Sequence, residues 1–169
     1  MYKRTFAIIA AIVTALFMFG SPATAANGNP HFIKNATSAT LSGSSLVVSF
    51  KEAGLSSGAV ETVTVTATAT TTYECVNNGG NNPKASNKTT TETDVSTSGT
   101  FTADQSGNIT GSLTLTPPSA TTLGFSCPPG QTVTFVSVTY SNVVITDSTS
   151  GATFSFGNKT FTYTNPLAP

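Results

Sequence analysis

The chain has 169 residues, with seven basic and seven acidic side chains, a single histidine, two cysteines and no tryptophan. Charged residues make up only 8% of it. Lysines and arginines this sparse do not form the basic patch that a phosphate backbone requires, which excludes nucleic acid as a partner. The length suits one ordinary domain able to bury its own core.

The N-terminus has the three parts of a secretory signal peptide. Lys3 and Arg4 supply the positive charge, Phe6 to Phe19 is apolar apart from Thr14, and Ala23-Thr24-Ala25 is an A-x-A cleavage pattern. The apolar run is shorter than the roughly 20 residues needed to span a bilayer. Cleavage after Ala25 is therefore expected, leaving one secreted domain over 26–169 with no membrane attachment. No hydrophobic tail or basic cluster follows at Asn165 to Pro169, so release is expected. Lys3 and Arg4 leave with the leader, so five basic residues face seven acidic ones in the mature domain.

From His31 onward the pattern has period two, the signature of half-buried strands. His31 to Lys34 reads as a short strand. Leu46, Val48 and Phe50 alternate with polar positions, and 51–58 reads as a connection. Val63, Val65, Ala67 and Ala69 alternate with Thr62, Thr64, Thr66, Thr68 and Thr70, leading into Tyr73 and Cys75. The shrinkage from Val to Ala predicts a closely packed neighbour at that end. Lys88 to Ser96 reads as a polar edge strand, its charges discouraging aggregation. Thr100 to Ala103, the turn Asp104-Gln105-Ser106-Gly107 and Asn108 to Thr116 form a hairpin signal, with Ile109, Leu113 and Leu115 facing the core.

Pro117-Pro118 ends that run. Gln131 to Tyr140 and Val143 to Asp147 follow, separated by a bulge at Ser141-Asn142. The turn Asp147-Ser148-Thr149-Ser150-Gly151 leads to Thr153 to Phe156, and Gly157-Asn158 leads to Thr160 to Tyr163, where Phe161 and Tyr163 share a face. No segment keeps helical periodicity for three turns, and the alternation outweighs the disorder that a polar, Thr-rich composition would otherwise favour. About eight short strands between turn clusters predict an all-β fold, a single antiparallel β-sandwich of immunoglobulin-like or related Greek-key type. The strict immunoglobulin pattern is not met: Phe125, not Tyr, stands two residues before Cys127.

Cys75 and Cys127 are an even pair in an oxidising compartment, so a disulfide is the expectation. It would bring the end of the Thr-rich strand to the Pro128-Pro129-Gly130-Gln131 turn, with the loop Asn77-Asn78-Gly79-Gly80-Asn81-Asn82-Pro83 beside it. Asn and Gly serve tight turns, yet the loop holds more side-chain amides than a turn needs. Amides pair donors with acceptors and so suit sugar hydroxyls or another backbone. If binding occurs there, Tyr73, Asn77, Asn78, Asn81, Asn82 and Lys84 are the candidate residues. The loop has no carboxylate, which makes calcium a weak fit.

Chemistry is harder to place. His31 has no serine motif to serve, and pairing the cysteines removes a zinc ligand set, so no cofactor or metal is expected. A carboxylate pair for glycoside hydrolysis could be drawn from Glu52, Glu61, Glu74, Asp104 and Asp147, against the simpler reading of these as surface acids. The Thr62–Thr70 ladder looks like an ice-binding face, but threonine is common on any solvent-facing strand. Sequons stand at Asn35, Asn87, Asn108 and Asn158, relevant only to a glycosylating host.

Three segments, 49–55 (SFKEAGL), 73–81 (YECVNNGGN) and 127–131 (CPPGQ), together resemble a group of small exported proteins, mostly bacterial, of unknown function. That resemblance implies one domain and a bacterial origin, and no activity. The expected function is a secreted, non-catalytic binding or interaction domain whose partner is an extracellular protein or a glycan. The alternatives are a structural component of an extracellular layer or spore coat, and a hydrolase using a carboxylate pair.

Overall fold

A computed structural model describes residues 28–77 and 88–168. The expected signal peptide, and Asn78, Asn81, Asn82, Lys84 and Asn87, lie outside the described residues. In chain order these form β1 (His31–Phe32), a 3-10 turn (Lys34–Ala36), β2 (Ser38–Ser42), β3 (Ser45–Ala53), β4 (Val60–Asn77), β5 (Lys88–Thr102), β6 (Ile109–Leu115), β7 (Gln131–Asp147), β8 (Thr153–Ser155) and β9 (Phe161–Thr164).

The strands make two antiparallel sheets, one of four and one of five, packed as the expected β-sandwich. In the smaller sheet β3 is central, with β6 on one edge and β1 and β2 sharing the other. In the larger the order is β5-β4-β7, and β8 and β9 divide the far edge of β7 between them.

Period-two alternation puts one face of each strand into the core. Leu46, Val48 and Phe50 of β3, with Ile109, Leu113 and Leu115 of β6, meet Val63, Val65, Ala67 and Ala69 of β4 and Val138, Tyr140, Val143 and Ile145 of β7. The shrinkage from Val to Ala along β4 has its counterpart in Tyr140, the cross-strand partner of Ala69. That large ring is fully buried, and its hydroxyl donates to the Ser44 carbonyl at 2.8 Å.

Three sequence expectations change. The two runs Lys88–Ser96 and Thr100–Ala103 are one continuous strand, β5. Its sequel is not a hairpin: β6 pairs with β3, and β5 pairs with β4. The Asp104–Gly107 turn is therefore an arch that carries the chain from one sheet to the other. Glycines let the two strands approach there without pairing. The Phe101 ring lies against Gly111, where a Cβ would sit 2.3 Å from its Cε1. Lastly, β2 is a short edge strand that the sequence did not single out: it fully buries no residue, and only Ala39 packs partly against the core; the described residues thus form nine strands. The bulge foreseen near Ser141-Asn142 is present: the β4–β7 register slips between Thr66 and Thr68, and Asn142 takes a positive φ of 52°.

The sheets differ in length. β4 and β7 have 18 and 17 residues, against 9 and 7 in β3 and β6. The larger sheet therefore runs past the smaller one. The 116–130 segment folds beneath the overhang, tied to it through Tyr73, which contacts Pro118 and Phe125, and through Cys75, which is bonded to Cys127.

Candidate functional site

The overhang is where the sequence places its candidate site. Cys75 and Cys127 are bonded, with Cα atoms 5.6 Å apart, so the end of β4 and the Pro128–Gln131 turn do meet. Tyr73, Cys75 and Asn77 alternate onto the same face of β4. The structure does not present Tyr73 to a ligand. Its ring is buried and its hydroxyl donates to the Pro118 carbonyl at 2.9 Å, anchoring the 116–130 segment. Burial also pushes its hydroxyl pKa up. Asn77 is exposed, and its Oδ1 accepts from Gln131 Nε2 at 2.9 Å, so one candidate amide is already held in place.

Around Tyr73 an aromatic row crosses the overhang. Phe125 of the covering segment stacks at 6.4 Å, Phe135 of β7 meets Tyr73 edge-on at 5.5 Å, and Tyr163 of β9 stacks on Phe135 at 6.1 Å. Phe125, Phe135 and Tyr163 are all partly exposed. Val133, the cross-strand partner of Cys75, is 36% exposed. The platform from Tyr163 through Phe135 and Val133 to the Gln131–Asn77 amide pair is apolar along most of its length and polar at one end. Sequence reasoning selected the amides and missed Phe135 and Tyr163. Alternation puts Tyr163 on the inward face of β9, but counted from Val138 and Tyr140 it would turn Phe135 outward; a register slip between Thr72 and Tyr73 of β4 brings Phe135 inward, and the overhang leaves that face only partly covered.

The opposite end of β4 holds a different arrangement. Three of the acids that read as surface residues, Glu52, Glu61 and Asp147, converge there in the interior, and none is more than 4% exposed. Glu52 ends the inward face of β3, paired across the sheet with Phe32 and Ile109. Glu61 begins that of β4, and Asp147 ends that of β7. Asp147 lies within hydrogen-bonding reach of both glutamates.

Some of these oxygens are satisfied: Glu52 Oε1 accepts from Ser150 Oγ at 2.7 Å, and Asp147 Oδ1 accepts from the Thr149 and Ser150 amides at 2.8 and 3.3 Å. No donor in the described protein meets Glu52 Oε2, Glu61 Oε2 or Asp147 Oδ2. Bonding these carboxyls to one another therefore needs a proton on one of the pair. Burial, above all, pushes Glu52 and Glu61 up to about 7 each; for Glu52 the Ser150 bond opposes this, and the neighbouring Asp147 adds to it in both. Among the described residues no set of three His, Cys, Asp or Glu side chains is disposed to hold a metal ion.

The other two acids stay apart. Glu74 is also buried, on the outer face, and pairs with Lys88 at 2.9 Å. Asp104 is exposed in the arch, where the Asn108 and Ser106 amides hold its carboxyl below the usual range.

The Thr ladder of β4 is one row of a broader hydroxyl surface on the outer face of the larger sheet. These hydroxyls bond to each other across strands: Thr64 to Ser98 at 2.7 Å, Thr72 to Thr90 at 2.9 Å, and Thr139 to Thr162 at 2.9 Å. Cross-strand Thr pairing of this kind stabilises a sheet on its own account. No protein-family model matches the chain, and no curated protein or solved structure matches it.

Proposed function

We propose that this is a secreted, non-catalytic binding module whose ligand is a glycan, held on the platform beside the disulfide. The observation that carries this reading is the partly exposed Phe135–Tyr163 stack on the face that also bears the Gln131–Asn77 amide pair. Aromatic faces cover the apolar faces of sugar rings, and a fixed amide pair supplies a donor and an acceptor for hydroxyls. The disulfide supports the reading by holding the covering segment, and so the platform, in one shape. It also fits an oxidising, extracellular setting.

The reading is tested by co-sedimentation of the mature protein with insoluble peptidoglycan, chitin and cellulose. Retention on at least one of them is expected, falling about tenfold or more in Tyr163→Ala and in Gln131→Ala with the fold intact by circular dichroism. Absence from all three pellets, or retention that neither variant weakens, overturns it.

One observation favours a second reading, a structural component of an extracellular layer. Among the described residues β5 runs 15 residues with a single hydrogen-bonded neighbour, and a long edge open in this way is a template for pairing with another copy. A protein that stays monomeric at millimolar concentration in analytical ultracentrifugation counts against it. For hydrolysis, the converging carboxyls offer little support, since Glu52, Glu61 and Asp147 are buried away from any substrate.

A further inference from the structure

A cleft opens on the side of the sandwich where β2 ends one sheet and β8 and β9 end the other, with a volume of about 470 Å³. It exists because the closing elements are short: β8 and β9 have three and four residues, too few to seal the gap between the sheets. Its apolar wall is three phenylalanines in edge contact, Phe154 with Phe156 at 5.2 Å and Phe156 with Phe161 at 6.2 Å, each left partly exposed. The turn that joins β8 to β9 is held rigid. The Phe156 amide donates to the Val143 carbonyl at 3.0 Å, the Gly157 amide donates to Ser155 Oγ at 3.0 Å, and Gly157 takes a positive φ of 65°.

Charge gives the cleft its direction. Lys34, on the 3-10 turn, and Lys159, after the β8–β9 turn, line it and are exposed, and no acidic residue lines it. They are two of the four described lysines in a mature domain with more acids than bases. The ion pair among the described residues is Lys88 with Glu74, so neither cleft lysine is neutralised by it. Two cations beside an apolar wall complement a molecule with an apolar body and a negative head.

We propose that this cleft is a binding site for a small aromatic anion, a carboxylate or sulfonate whose ring packs on Phe154, Phe156 and Phe161 while its charge sits between Lys34 and Lys159. The volume lies in the range of small-molecule pockets, roughly 300–1,000 Å³. Lysine suits the task, being a mobile point charge that needs no planar partner. This site is separate from the platform beside the disulfide and does not depend on the glycan reading.

The test uses two fluorescent probes of similar shape, 8-anilinonaphthalene-1-sulfonate and the uncharged N-phenyl-1-naphthylamine, titrated into the folded mature protein. The chain has no tryptophan, so the background is low. Saturable one-to-one binding of the sulfonate is expected, roughly tenfold tighter than that of the neutral probe at low salt, with the difference shrinking at high salt. In the double variant Lys34→Gln, Lys159→Gln the preference for the anion disappears while the neutral probe binds as before. Both lysines are exposed, so the variant keeps its fold, and Gln131→Ala leaves both affinities unchanged. No saturable binding to the folded protein, equal affinity for the two probes, or a preference that survives the double variant overturns the proposal.

Discussion

The two ends of β4 bury polar chemistry by opposite means. At Cys75 the strand is clasped covalently to the 116–130 segment, Tyr73 is tied to Pro118, and buried Glu74 has Lys88 for a partner. At Glu61 three carboxyls share an interior site with hydroxyl and amide donors and without an ion pair among the described residues. The first end depends on a covalent bond and is sensitive to reductant. The second holds together by keeping protons, because a buried pair of like charges cannot both ionise cheaply. One strand thus carries a redox-dependent end and a pH-dependent end.

Breaking the clasp has the largest expected effect. The cysteines are 52 positions apart, and the loss of that cross-link frees about 4 kcal/mol of unfolded-chain entropy at most. The double variant Cys75→Ser, Cys127→Ser should lose about 2–4 kcal/mol in urea titration. Hydrogen exchange should rise first in 116–130, while the core strands β3, β6 and the 63–69 part of β4 remain protected. A uniform rise through both sheets would show that the clasp holds the whole sandwich and not its overhang.

Next comes pH. The ordinary value for Glu52 and Glu61 is 4.5, and the fold raises both to about 7. The folded form therefore keeps its protons to higher pH than the unfolded chain does. The stability these two glutamates contribute is full below about 4.5, declines as pH rises toward 7, and is gone above it. The decline should be on the order of a few kcal/mol. Glu61→Gln should flatten the profile and raise stability at pH 8 relative to wild type, read as the urea midpoint at pH 5 and pH 8. A wild-type midpoint that climbs between those values contradicts the shared-proton arrangement.

The smallest expected effect sharpens the clasped end. Tyr73→Phe removes one hydrogen bond to Pro118 and should cost about 1 kcal/mol. It should loosen 116–130 in hydrogen exchange without altering the pH profile. If the profile changes as well, the two ends of β4 are coupled through the strand.

Much of the carboxyl cluster was legible in the alternation. Glu52 falls in phase with Leu46, Val48 and Phe50; Glu61 with Val63 and Val65; Asp147 with Val143 and Ile145. Each therefore belongs to an inward face; Glu52 and Glu61 escaped that reading because 51–58 reads as a connection and the next strand as starting at Thr62, whereas β3 runs on to Ala53 and β4 starts at Val60. The cysteine pairing, the bulge at Ser141-Asn142 and the shared face of Phe161 and Tyr163 were legible for the same local reasons. The short strand β2 was not, since its alternation rests on two residues only, Ala39 and Leu41, neither of them fully buried. The Asp104–Gly107 turn suits an arch as well as a hairpin, and what distinguishes them is whether β6 finds β4's neighbour or β3.

The sequence by itself determined which side of β3, β4 and β6 faces inward, because side chains on an unbroken pleated strand alternate whatever the strand packs against. It also determined that two cysteines would close on each other. Tertiary structure alone decided that Glu52, Glu61 and Asp147 meet, that the long sheet overhangs the short one and bares the Phe135–Tyr163 stack, and that Lys34 and Lys159 flank one cleft. These are relations between elements distant in the chain, set by pairing, register and the unequal lengths of the two sheets, and no local pattern encodes them.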